Sequence, residues 1–402
     1  MGVPELAQFP EREEGGAGDL AVMLTGGGAR ASYQVGLIRG LARHFPHLRF
    51  QIITGVSAGA INAVYLAAKD GDLSVIAEAL TKLWTDLQCQ HVFTPNYAAL
   101  LPFRSVIKSV LPRRMPGGPH GFFNAAPLAD LLREVFTCRI RRMPIAGIRR
   151  NIDRGLLKAL ALVALDYSTG QSVRWVQGRD IEVLENTNRR RENVELTIEH
   201  VLASAALPFV FPAVRIGDGW YGDGGIRLNA PLSTALHLGA SRILAMSTGY
   251  QRTAVEASRP VVRGYPPAAQ IISQLVNAIF LDAIDEDVAR MERMNEVLRQ
   301  LPPDQRDGMK PIDLFVLRPS SDLGKLAGEY QKYLPASVRL FTRALGADET
   351  ESPDVVSMLM FEPRYTRVLI ETGERDVENR LDELRAFLGD NVRPAISRQV
   401  RR

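Results

Sequence analysis

The chain has 402 residues, 46% of them hydrophobic and 23% charged, which is enough for one large or two ordinary domains with an ample core. The balance of 49 basic to 45 acidic residues is mild, no nucleic-acid-reading module is visible, and no apolar run is long enough to span a bilayer. Only Cys89 and Cys138 occur, in no CxxC arrangement, so neither a disulfide framework nor a zinc site is indicated and the expected setting is a reducing cytoplasm.

Residues 1–18 are acidic and rich in glycine and proline, with no basic or apolar signal region, and are expected to form a disordered tail. Short buried strands are expected at 20–25 ("LAVMLT") and 49–54 ("RFQIIT"), each ending at glycine. Between them Val35, Leu37, Ile38, Leu41 and Phe45 recur at helical spacing, giving a βαβ unit and hence a parallel sheet. Helices follow over 58–68 and 73–87. Five prolines punctuate 89–124, which predicts a long surface excursion and a lid candidate. Further on, helix is expected at 127–136 and 194–206, and strand at 156–167, 171–177, 213–217 and 242–249, with Pro231 opening another helix. After residue 250 the pattern turns helical: one long amphipathic helix over 271–301, a strand at 312–319, a late helix over 376–390 and a basic tail. The face of "LVNAIFLDAI" (275–284) is a candidate for self-association.

Three short stretches carry chemistry. "GGGARA" (26–31) fits the dinucleotide fingerprint, with Gly26, Gly28 and Ala31 in its three small positions. That reading wants an acidic residue roughly 20 positions on, yet no Asp or Glu occurs from Leu20 to Lys69. An NADP-binding oxidoreductase would have to use Arg43 or Arg49 instead and stays open as an alternative. The second stretch, "GVSAGA" (55–60), is a G-x-S-x-G passing directly into a helix, which has the form of a nucleophile elbow around Ser57. Gly55 and Gly59 keep the turn sharp, and the helix N-terminus favours a developing anion. Backbone N–H groups of Gly27 and Gly28 can then face an oxygen bound above Ser57, with Arg30 adding charge or bracing the loop. The third stretch is "DGG" (223–225), in which Asp223 is either a turn residue or the base that Ser57 needs.

Taken in this order, "GGGARA", "GVSAGA" and "DGG", supported by "ASAALPFVFPAV" (203–214) and "FFNAAPLADLL" (122–132), resemble the patatin-like phospholipase family over about residues 19–250. Ala31 departs from the Gly-Arg-Gly form common in that family. The resemblance implies an α/β fold with a mostly parallel central sheet covered by helices on both faces, and a mainly helical region over 251–402 packing on the core. It implies a serine acyl hydrolase acting on phospholipids or related lipid esters, of the phospholipase A or lysophospholipase type, with no cofactor or metal. Ser57 would be the nucleophile, Asp223 the base, and Gly26, Gly27, Gly28 and Arg30 the oxyanion pocket, supported by Gly55, Gly59, Gly224 and Gly225. A free carboxylate is a weak base for an alcohol, so Asp223 needs a partly dry site. His237 stands where an α/β-hydrolase order would place a histidine, but it lies on a helical pattern and reads as a packing or surface residue. A catalytically idle lipid-binding or regulatory protein is the other alternative. Residues 101–158 hold twelve Lys or Arg against three acids, and with Leu100, Leu101, Phe103, Val106 and Ile107 they suggest peripheral contact with anionic lipid.

Overall fold

A computed structural model describes residues 19–96, 121–179, 185–186, 188–258, 268–280, 282–344 and 354–389. The acidic tail, most of the 89–124 excursion with its apolar and basic residues, and the basic tail lie outside the described residues.

Twelve strands are described: β1 (Leu20–Leu24), β2 (Ile52–Val56), β3 (Thr94–Pro95), β4 (Phe123–Asn124), β5 (Ala159–Asp166), β6 (Ser172–Gly178), β7 (Glu185–Asn186), β8 (Arg189–Asn193), β9 (Val214–Ile216), β10 (Gly219–Asp223), β11 (Arg242–Met246) and β12 (Asp313–Leu317). Ten form one sheet in the order β12-β11-β1-β2-β5-β6-β8-β7, with β10 joined to β5 and β9 to β10, while β3 and β4 pair with each other. The run from β12 to β5 is parallel throughout; β6 and β10 meet β5 antiparallel. Strands β1, β2 and β5 are buried along their whole length, as expected of parallel strands covered on both faces.

Helix α1 (Ala31–His44) provides the crossover between β1 and β2, α2 (Ala58–Ala68) leaves β2 at Ser57, and α3 (Leu73–Thr85) packs against α1. The βαβ unit expected from the sequence is present in register, with Leu24 beside Gly55. Two expected helices are divided. The pattern over 271–301 forms Ala268–Phe280 and Ala283–Gln300, the second with Asp282 at its N-cap position and Asp285 and Glu286 in its first turn. The late helix is the end of Pro363–Asn379 and a second helix, Leu381–Leu388. Helices Leu323–Tyr330, Ala336–Ala344 and Asp354–Leu359, and the arginine-rich strand β8, were not expected from the pattern.

The C-terminal residues are built into the same core. Strand β12 extends the sheet beside β11, and Pro363–Asn379 lies along α1. Among the described residues no helix is long and apolar enough to cross a membrane. Leu275, on the face considered for self-association, is exposed.

Candidate active site

The sheet register brings the three motifs together. Val56, the last residue of β2, lies opposite Val163 of β5, and Asp223, the last residue of β10, lies opposite the next residue, Ala164, on the same edge of β5, since β6 takes the other edge. The C-terminal ends of β2, parallel to β5, and β10, antiparallel to it, thus converge head to head along one edge of β5, which brings Ser57 and Asp223 together. On the far side of β2, the end of β1 delivers the glycine loop. A Cβ on Gly26 would stand 2.8 Å from the Cβ of Ser57, so the loop abuts the serine directly.

Ser57 is held in a backbone conformation that side chains avoid, with φ 57° and ψ −134°. Such a residue costs about 1–3 kcal/mol and persists only where its surroundings fix it. Here its N–H donates to Ser204 Oγ at 3.1 Å, Ser204 donates to the Val163 carbonyl at 2.6 Å, and the Ser57 carbonyl accepts from Ala60 N at 2.9 Å. Gly59 lies against the Leu24 and Thr25 carbonyls, and Gly55 against Ala63 and the Gly59 carbonyl. Side chains at either position would force the elbow off the sheet. Ser57 is 4% exposed at the N-terminus of α2, where the first amides have no intrahelical acceptor.

Asp223 is 0% exposed. Its Oδ1 accepts from Gly225 N at 2.9 Å, while its own N–H donates to the Ala206 carbonyl at 3.0 Å. Gly224 packs on the Val163 carbonyl, closing the turn against β5. Burial pushes the Asp223 carboxyl up to about 7, against smaller lowering by hydrogen bonding from the Ser57 hydroxyl and the Gly225 amide. Asp223 Oδ2 nevertheless has no fully formed hydrogen bond. The hydroxyl is thus close to the carboxyl without being aligned on Oδ2, a loose geometry common in unliganded catalytic sites. A buried acceptor left unsatisfied beside a hydroxyl is a standing demand for a proton.

In the glycine loop Gly27 has φ 146° and Gly28 φ 57°, values that side chains strain to reach. Gly28 starts a 3₁₀ turn, so its amide lacks an intrahelical partner. Space is closed as well: a Cβ on Gly28 would lie 2.2 Å from the Met358 carbonyl, and one on Gly27 2.5 Å from Thr248 Oγ1. Thr248 donates to the Gly26 carbonyl. Arg30 occupies the bracing position and not the lining one: its Nε donates to Ser357 Oγ at 2.5 Å and its guanidinium is paired with Asp354. Of the two expectations for Arg30, added charge or a brace for the loop, these partners fit the brace. Sequence reasoning gave no role to Ser204, although it falls within the block 203–214, and missed Thr248, Asp354, Ser357 and Met358, none of which carries a local motif.

A largely apolar cavity opens on Ser57 and Gly28, walled by Leu83, Leu132, Phe211 and Leu359 among others. Its chemistry suits a hydrocarbon chain laid beside the serine. His237 is exposed, its Nδ1 within 2.5 Å of the Ser233 carbonyl on its own helix. Arg43 pairs with Glu374 and Glu378, and Arg49 donates to the Gly71 carbonyl, so both arginines considered for a 2′-phosphate have other partners. Of the basic run, Arg104, Lys108, Arg113 and Arg114 lie outside the described residues. Arg133, Arg149, Arg150, Arg154 and Lys158 are engaged with acids.

The sequence profile of the patatin-like phospholipases matches residues 22–236. The cGAMP-activated phospholipase of Pseudomonas aeruginosa is 24% identical over 310 residues, covering 72% of this chain and 81% of that protein. Among solved structures, human GIVD cytosolic phospholipase A2 aligns over 92% of this chain with 11% identity and a TM-score of 0.45; the alignment spans 60% of that chain. VipD from Legionella pneumophila aligns over 91% of this chain and 67% of its own, with 14% identity and a TM-score of 0.35.

Proposed function

Because the chain belongs to the patatin-like phospholipase family, we propose that it is a lipid hydrolase that cleaves fatty acyl esters through Ser57 and Asp223. The observation that carries this reading is the fully buried Asp223 carboxyl, raised to about 7 beside a serine held on a strained elbow. A carboxylate of that basicity accepts a proton from an attacking alcohol far better than one near its ordinary value of 3.8. Ser57 Oγ attacks the ester carbonyl carbon as its proton passes to Asp223. The negative charge on the carbonyl oxygen is met by the Gly27 and Gly28 amides, each such donor contributing about 3–4 kcal/mol. Collapse expels the glycerol-side oxygen, which takes the proton from Asp223 and leaves an acyl ester on Ser57. Water, deprotonated by Asp223, then releases the fatty acid and restores the hydroxyl. The apolar cavity beside Ser57 receives the acyl chain, which favours phospholipase A or lysophospholipase chemistry over cleavage at the phosphate.

The test is covalent labelling with an alkyl fluorophosphonate combined with product analysis on phosphatidylcholine. Labelling of the wild type, absent in Ser57→Ala, with free fatty acid as product, is the expected result. A Ser57→Ala protein that still labels, or products cut at the phosphate, would remove the proposal.

A further inference from the structure

The segment that walls the cavity also carries the most exposed large apolar side chain described. Leu207 and Phe211 line the cavity, yet Phe209 between them is 82% exposed. Its φ is +64°, a left-handed conformation that is a real outlier for a bulky residue. Backbone hydrogen bonds hold it there: Phe122 N donates to the Phe209 carbonyl at 2.9 Å, Phe123 N to that of Val210 at 2.9 Å, and Phe211 N to that of Leu207 at 2.9 Å. The outward phenyl is therefore a fixed feature and not a loose loop tip, maintained against both its strain and its exposure.

Trp220 lies on the β9–β10 hairpin into which this segment runs. The loop containing Phe209 leaves β10 where Asp223 N bonds the Ala206 carbonyl and returns where Val214 pairs with Tyr221, one residue from Trp220. Trp220 is 46% exposed, with Arg215 opposite it on β9. Tyr167, 44% exposed, bonds the Trp220 carbonyl through its N–H at 2.8 Å. Aromatic rings with an arginine beside them are what the boundary between headgroups and acyl chains accommodates.

We propose that Phe209, together with Trp220 of the adjoining β9–β10 hairpin, inserts into the surface of a phospholipid layer, so that a lipid passes from the layer into the cavity between Leu207 and Phe211. This rests on the lipid-hydrolase reading for its occupant, and it assigns contact to an apolar wedge instead of to the basic run. Burying one phenylalanine corresponds to roughly a tenfold to hundredfold change in affinity.

Binding is measured with the full chain carrying Ser57→Ala, which removes turnover, by sedimentation with neutral phosphatidylcholine vesicles at low and high salt. Asn tolerates the left-handed backbone, so Phe209→Asn removes the ring without adding strain. The Phe209→Asn/Trp220→Ser pair is expected to bind vesicles at least tenfold more weakly at either salt concentration. In the Ser57 background the same pair loses vesicle hydrolysis but cleaves soluble p-nitrophenyl butyrate within twofold of wild type. Trp84 and Trp175 are fully buried, so a blue shift of tryptophan emission on adding vesicles reports Trp220. Unchanged vesicle binding in the double variant, no vesicle binding by the parent, or equal loss on the soluble ester each overturns the proposal. Vesicle binding that depends on Phe209 in a protein that cleaves no ester would instead overturn the hydrolase reading alone.

Discussion

Burying Asp223 completely sets a stability cost against the basicity that the proposed mechanism needs, and pH separates the two. Its carboxyl moves from 3.8 to about 7, so the native state holds this proton more tightly than the unfolded chain does. Stability from this group is intact below 3.8 and is lost as pH rises towards about 7, where the native carboxyl finally ionises. At ~1.4 kcal/mol per pH unit the loss is on the order of 4 kcal/mol. Asp223→Asn, which never ionises, is expected to melt higher than wild type at pH 8 and to show no such advantage at pH 3.5. Calorimetry at the two pH values checks this, and equal melting at pH 8 would contradict a charge held in a dry site. Activity runs the other way. As the proposed base, Asp223 works only when ionised, so wild-type kcat/KM is expected to climb about tenfold per unit below pH 7 and level off above it, while Asp223→Asn is inactive throughout.

Helix Asp354–Leu359 acts on the glycine loop from far along the chain, Asp354 lying 324 residues beyond Arg30. It places the Met358 carbonyl where any side chain on residue 28 would sit, and its Asp354 neutralises the buried Arg30. Asn277 Nδ2 donates to the second Asp354 oxygen at 2.8 Å, tying helix Ala268–Phe280 into the same brace. Removing one partner of a buried ion pair costs about 3–5 kcal/mol because the other charge is stranded, whereas replacing both with apolar groups is often neutral. Asp354→Ala is therefore expected to lose about that much stability, and Arg30→Met/Asp354→Leu to recover most of it. The same double variant is expected to keep KM and lose kcat, since the amides of residues 27–28 are no longer held in place. Denaturant melts and steady-state kinetics on the three proteins separate the effects; full activity in the double variant would show that the pair does not position the loop.

Across the whole molecule, legibility followed how local each signal was. The first βαβ unit could be read because apolar spacing, terminal glycines and the elbow all fall within 50 contiguous residues, and Asp223 because glycines flank it. Ser204, Thr248 and Asp354 could not, because each acts through an approach between distant segments; Asp354 is 324 residues from Arg30. Both helix breaks, at Asp282 and Arg380, went unseen because apolar spacing continues across them, although Glu362 and Pro363 were a readable start signal for the helix that follows. The C-terminal elements matter for the fold as a unit. A Cβ on Gly36 of α1 would lie 2.0 Å from the Ile370 carbonyl, and one on Gly373 2.3 Å from the Tyr33 carbonyl, so α1 and Pro363–Asn379 touch backbone to backbone. Tyr33 also donates to Asp376 at 2.9 Å, inside a core that contains Tyr365, Leu369 and Ile370. A chain ending at residue 250 would uncover that face of α1, leave β11 as an unpaired edge and take the brace from the glycine loop. It is expected to show no cooperative thermal transition by circular dichroism and no fluorophosphonate labelling, whereas a sigmoidal melt with labelled Ser57 would mean that residues 19–250 fold by themselves.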